Sequence, residues 1–285
     1  MNGFANERIR DADFRQAVEL LDAGEADALR VHLVRHPTLA SRRITFHDEG
    51  YFRNPALLEF IAENPVRCGS LSANVIEVAK VILEAGARGD RAGIDSTLGL
   101  VSSGRVAREC GVQAGLIELL CDYGADPNAA VLPALAHGEF EAANVLIRRG
   151  ARLTLPLAAA TGRIEEARHL LPLADGSDRH VALALAAQHG QAEAVGLLLD
   201  AGEDADRYNP EGCHSHSTPL HQAAFAGHET VVRSLVERGA RLDIKDRHFR
   251  GTALDWANYA PHPEIAQYLR RHGAKNGDEL GRAEA

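Results

Sequence analysis

Thr218-Pro219-Leu220-His221-Gln222-Ala223-Ala224, closed shortly afterwards by Gly227-His228, describes one complete structural unit in a single short stretch. Thr218 is a residue type whose hydroxyl accepts from the free N–H groups at a helix N-terminus. Pro219 then falls at the first helical position, where no amide donor is needed and its fixed φ suits the helix. Leu220 with Ala223 gives the Leu-x-x-Ala spacing of a short apolar face. So short a helix cannot bury that face by itself, and the stretch therefore predicts further copies that cover it.

Copies are present in both directions. Downstream, Gly251-Thr252-Ala253-Leu254-Asp255-Trp256-Ala257 repeats the opening, its threonine 34 residues after Thr218. Glu264-Ile265-Ala266-Gln267-Tyr268-Leu269 leads into Gly273-Ala274 as Val231-Val232-Arg233-Ser234-Leu235 leads into Gly239-Ala240. Upstream, the same helix ending recurs at Ile82 to Ala87, Leu119 to Ala125, Leu146 to Ala151 and, with Glu203 in place of Ala, Leu198 to Gly202. Each glycine is a helix stop of the kind that a positive φ after the last turn requires.

This combination resembles the TPLHxAA…GH signature of the ankyrin repeat, most fully over Thr218 to Ala274 and in part over Leu116 to Gly202. The resemblance implies an all-α fold, an ankyrin-repeat solenoid of about eight helix pairs. Spacing refines the picture. The stops lie 38 residues apart from Gly86 to Gly124, 26 from Gly124 to Gly150 and 52 from Gly150 to Gly202, against a family period of about 33. The central repeats are therefore expected to keep both helices and have shortened fingers. Arg105 to Cys110 reads as an insertion at an inter-helix turn, and Asp204 to Ser217 as a long loop.

The expected organisation is one solenoid over 1–274: an N-terminal capping unit and loop (1–53), divergent and shortened repeats (54–202), and a long loop with typical C-terminal repeats (203–274). A polar tail (275–285) is expected to fray. In the capping unit, Phe14 to Leu21 and Ala28 to Val34 are amphipathic runs joined at Gly24; Asn54 to Ile61 and Val75 to Ile82 supply the next pair.

Composition sets limits on function. No apolar run approaches the roughly 18 residues of a membrane span, and Met1 to Arg10 lacks a signal-type apolar stretch, so the expectation is a cytoplasmic chain. Cys68, Cys110, Cys121 and Cys213 form no CxxC pair and read as reduced thiols. A net charge of -9 and a pI near 5.9 argue against a nucleic-acid partner. Only three of the 31 basic residues are lysine, which with the alanine content points to a GC-rich bacterial source.

Stacked repeats offer an extended concave groove that binds other macromolecules. By resemblance to the family, the finger tips and first-helix faces choose the partner, which points to Gln188, His189, Gln222, Phe225, Trp256 and Tyr259. The expected function is a non-catalytic, monomeric scaffold for an unknown protein partner with no cofactor. The competing reading of the aromatics is packing between neighbouring repeats. His221, by the same resemblance, hydrogen-bonds backbone between units.

Two polar constellations carry the alternative, a ligand-binding or metal-dependent enzyme with a pocket closed by the 43–53 and 204–217 loops. Cys213, His214 and His216 could chelate zinc or another transition metal, since alternate residues of an extended segment share a side. His47, Asp48, Glu49 and Tyr51 combine a base, two acids and a phenol, which with His137 and Thr161 could line a pocket. A hydrogen-bonded loop explains the first group equally. The chain has no GxSxG, HExxH, GxxxxGK[ST] or GxGxxG signature.

Overall fold

The structure, a computed structural model, describes residues 6–46 and 52–283. Its regular elements are helical, with one isolated β-bridge, Arg43 to Ala56, and no strand among the described residues. The chain divides into two compact units at Arg152/Leu153.

In the first unit, α1 (Ala12–Asp22) pairs with α2 (Ala26–Arg35), and a 3-10 turn (Leu57–Ala62) pairs with α3 (Val75–Glu84). Next come α4 (Arg91–Ser102), the short α5 (Arg105–Glu109), α6 (Gln113–Asp122), α7 (Asn128–Ala136) and α8 (Phe140–Arg148). α1, the 3-10 turn, α4 and α7 pack in sequence as one layer, and α2, α3, α6 and α8 as the other. The expected insertion at Arg105 to Cys110 is α5. The helix expected over Asn54 to Ile61 is instead the 3-10 turn. Glu63 leaves it in a left-handed conformation (φ 48°) and Asn64 precedes Pro65, which disfavours helical backbone, so the segment is too short to build α-turns. Arg67 braces the turn from below. Its guanidinium, 1% exposed, reaches Asp22 Oδ1 at 2.7 Å and Glu63 Oε1 at 2.8 Å.

The second unit is the more regular stack. Its pairs are α9 (Leu155–Ala160) with α10 (Ile164–Leu170), α11 (Gly176–Gln188) with α12 (Ala192–Asp200), α13 (Pro219–Phe225) with α14 (Glu229–Glu237), and α15 (Ala253–Tyr259) with α16 (Pro263–Arg271). First helices form one layer and second helices the other, enclosing a core of leucine, valine and alanine that includes Leu183, Leu198, Leu220, Leu235, Leu254 and Leu269. Small residues recur on the facing sides of α9, α11 and α13, which lets short helices approach closely. A further 3-10 turn (Leu171–Leu173) follows α10, and only 174–175 join it to α11, whereas 201–218 and 238–252 are long fingers before α13 and α15. The expected shortening of central fingers is thus visible. The polar tail carries a further helix, α17 (Gly277–Ala283), tied back by Arg270 to Glu279 at 2.7 Å, where fraying was expected.

Local chemistry fixes where these helices begin. At α13, His221 Nδ1 accepts from the Thr218 N–H (3.3 Å), with the Thr218 hydroxyl 2.8 Å away. That leaves Nε2–H to donate to the Gly251 carbonyl at 3.2 Å, in the next unit. At α15 the same box is closed by Asp255 Oδ2, which accepts from Thr252 N at 2.8 Å. The Gly-His of the signature has a matching role. Gly190 has φ +75°, and a Cβ there would lie 2.7 Å from His228 Nδ1. The missing side chain lets the His228 ring seat over the turn, where Nε2 meets the Gln188 carbonyl at 3.0 Å. One unit later, His262 does the same on the carbonyl of Phe225, at 3.0 Å.

Candidate functional site

The first helices of successive units place equivalent residues at equivalent points. Gln188, Phe225 and Tyr259 are the last residues of α11, α13 and α15; Gln222 and Trp256 stand one turn earlier in the latter two. The histidine bonds from the following unit land on the Gln188 and Phe225 carbonyls, so this edge is indexed by the repeat packing itself.

The aromatics form a continuous row. Phe225 meets Trp256 edge-on at 5.7 Å and stacks on Tyr259 at 6.4 Å and 16°. Phe225 is 45% exposed and Tyr259 83%. Trp256 is half-buried and leads towards the fingers, where its ring lies 5.7 Å from His216 and 5.3 Å from His221. His216 packs on His248 at 4.6 Å, and His248 on Phe249, which is 80% exposed.

α13 and α15 each hook their own finger with the residue one turn before the edge. Gln222 Nε2 donates to Ser217 Oγ at 2.8 Å, which buries the amide and removes it from the open face on which the sequence placed it. Trp256 Nε1 donates to Asp246 Oδ2 at 3.1 Å. Asp246 is the pivot of the finger 238–252, accepting also from the backbone N–H groups of His248 (2.9 Å), Phe249 (2.6 Å) and Gly251 (2.9 Å). Burial works to raise its pKa, but the donors, Phe249 foremost, outweigh that and hold the carboxyl below its ordinary range. Burial, with the charges of His248 and His214, pushes His216 down. Burial also lowers His221 to about 4, so it is neutral at pH 7 and its role is the backbone bridge expected of it.

Gln188 and His189 lie half-buried at the end of α11, in line with the row. The remaining candidates do not assemble. Cys213 is buried and its thiol is pushed up to about 11, a poor source of thiolate. His214 and His216 meet edge-on with centroids 6.1 Å apart. Among the described residues, the one trio of possible metal-ligand atoms within 4.8 Å of one another is Asp22, Glu63 and Cys68, so Cys213, His214 and His216 do not converge. That trio surrounds Arg67, whose guanidinium already pairs with both of its carboxylates. Of the pocket candidates, His47, Asp48, Glu49 and Tyr51 lie outside the described residues. His137 Nδ1 and Thr161 Oγ1 each bond a carbonyl of their own helix, Pro133 at 2.9 Å and Leu157 at 2.7 Å.

Sequence reading passed over Asp246, Arg247, His248 and Phe249. The signal available was Asp246, six residues ahead of Thr252 in a segment ending in Arg250-Gly251, a setting in which an Asp closes a turn on its own backbone.

No helix among the described residues is long and apolar enough to cross a membrane. The sequence profile for ankyrin repeats (3 copies) matches residues 155–246 and 183–279. Ankyrin repeat and SAM domain-containing protein 6 of Danio rerio is 38% identical over 39% of this chain and 13% of its own length. Ankyrin repeat and KH domain-containing protein mask-1 of Caenorhabditis elegans is 30% identical over 70% of this chain and 8% of its own. This chain thus spans only a small part of those two relatives. Human cyclin-dependent kinase inhibitor 2A is 33% identical over 46% of this chain, and there the match takes in 85% of the relative. With the capped first helices, the Gly-His seats and the finger hooks, these matches establish that the chain belongs to the ankyrin-repeat family.

Proposed function

We propose that this chain is a binding scaffold that holds a protein partner on the groove side of its second unit, along Phe225, Trp256 and Tyr259 and the two fingers beside them. The observation that carries this reading is the continuous aromatic row with exposed ends. Aromatics on a rigid frame give large contact area at low entropic cost, and such residues supply most of the energy at protein interfaces. The row is anchored from behind by the histidine seats and from the side by the Asp246 hook, so little ordering remains to be done on binding. The human relative is named an inhibitor of a cyclin-dependent kinase, a protein target; a protein is likewise the class of partner ascribed to this chain. Four free cysteines fit a reducing, cytoplasmic setting.

The test is affinity capture from lysate with the wild type and a Phe225→Ala/Tyr259→Ala variant, compared by quantitative mass spectrometry. Both side chains are exposed, so the variant keeps its fold. Proteins retained by the wild type and depleted about tenfold on the variant are the expected result. Identical retention would place the binding surface elsewhere.

A further inference from the structure

We propose that the segment bound on this face is acidic: a stretch of Asp or Glu beside an aromatic or aliphatic residue. The inference rests on the reading above and adds the chemistry of the partner. The whole chain carries a net charge of -9, yet the finger 238–252 runs the other way, with Arg238, Arg241, Lys245, Arg247 and Arg250 against Asp243 and Asp246. Part of that charge is already matched. Arg238 reaches Asp200 at 3.2 Å, Arg241 reaches Asp243 at 3.0 Å, and the Asp246 carboxylate is saturated by its four donors.

Lys245, half-buried, and Arg247 and Arg250, both exposed at the finger tip, remain without an ion pair among the described residues. Arg247 is held in place. Its guanidinium lies 3.9 Å from the centre of the Tyr208 ring, and its backbone N–H donates to the His216 carbonyl at 2.8 Å. Nη1 makes one long contact, 3.5 Å, with the Ser215 carbonyl, and stacking of this kind leaves the remaining N–H groups open to a carboxylate.

Asp206 and Asp243 line the same hollow as Arg250, and the neighbouring carboxylates are engaged, Asp243 by Arg241. Asp255 Oδ2 accepts from Thr252 N and Gly277 N, and Asp206 Oδ1 accepts from Arg241 N. Glu211 is exposed on the neighbouring finger. The aromatic row therefore ends in a cationic tip on an otherwise acidic molecule. Range decides between two polyanions. A nucleic acid extends beyond the tip and would feel the repulsion of the whole chain, whereas a short acidic segment seated at the tip feels chiefly the charges within about a Debye length (~8 Å), where Arg247 and Arg250 stand against the hydrogen-bonded Asp246.

The experiment is panning of a displayed library of random linear peptides against the full chain, with Phe225→Ala/Tyr259→Ala, Arg247→Glu/Arg250→Glu and Arg247→Ala/Arg250→Ala as comparisons. Circular dichroism establishes that each variant is folded. The expected result is enrichment of acidic peptides with an apolar anchor, which lose about tenfold in affinity on charge reversal, less on the alanine pair, and weaken with added salt. Neutral or basic peptides that need Phe225 and Tyr259 but ignore both arginine variants would overturn the charge inference and leave the scaffold reading standing. Selected peptides indifferent to Phe225 and Tyr259 would overturn both. Tighter binding of single-stranded oligo(dT) at the same arginines would overturn the choice of partner.

Discussion

His221 binds through both ring nitrogens, and its burial has a consequence that can be measured. Its pKa falls from 6.5 unfolded to about 4 folded, so between those values the unfolded chain takes up a proton that the folded one refuses. Stability is full above pH 6.5, falls as pH drops towards 4, and levels off below. The loss is on the order of 3 kcal/mol, and burial of His216 and His180 adds to it with the same sign. Urea melts at pH 7 and pH 5 should show the drop, and His221→Ala should be about 1–3 kcal/mol less stable at pH 7 but flatter across the window. An unchanged slope in the variant would locate the proton elsewhere. A second residue-scale expectation separates two glycines of similar φ. Gly202→Ala meets nothing within 4 Å and should cost about 1 kcal/mol for its left-handed backbone, whereas Gly190→Ala also unseats His228 and should cost clearly more. Equal denaturation midpoint shifts would argue that the histidine seat contributes nothing.

At the scale of the element, the fingers matter most. The finger 238–252 has no helix or strand to hold it; Asp246 gathers three of its backbone N–H groups and the indole of Trp256, and the neighbouring finger adds the bonds of Arg247 N–H to the His216 carbonyl and of the Tyr208 hydroxyl to the Lys245 carbonyl. Asp246→Ala should orphan those donors, cost several kcal/mol at roughly 1–3 per buried group, and free the finger. Trp256 is the chain's single tryptophan, so its emission should shift to the red in that variant while far-ultraviolet circular dichroism stays near native. An unmoved emission maximum would contradict the hook. The helices were largely legible beforehand, because Thr218, Thr252 and the glycine stops are signals carried by neighbours in sequence. The finger contacts were not. Asp246 and its donors meet only after the turn has closed, and His216 meets His248 only after two fingers lie side by side. For the same reason Gln222 read as a surface residue, since its partner Ser217 takes it inward. Leu57 to Ala62 read as a helix from its apolar content, and Pro65 with the left-handed Glu63 limited it to a 3-10 turn. Cys213, His214 and His216 share a stretch of sequence but not a point in space.

For the whole molecule, neighbour-to-neighbour stacking means that damage stays local. Leu220 sits in the core of the second unit with Leu198, Leu235 and Leu254. Leu220→Ala should cost about 2–5 kcal/mol, felt first in α13 and the units stacked against it. Hydrogen exchange should show protection lost across the second unit and retained in α1 to α8; equal loss along the chain would contradict a repeat stack. The same architecture is what turns isolated side chains into a surface, since Gln188, Phe225 and Tyr259 align only because their helices repeat. Whether that surface is the working one is open to direct observation. Hydroxyl-radical footprinting of the chain, free and with its captured partner, reads the reactive aromatics one by one. The account predicts that Phe225, Trp256, Tyr259 and Phe249 are protected in the complex while the exposed side chains of α14 and α16 are unchanged. Protection confined to α14 and α16, with Phe225 and Tyr259 as reactive as in the free chain, would contradict it.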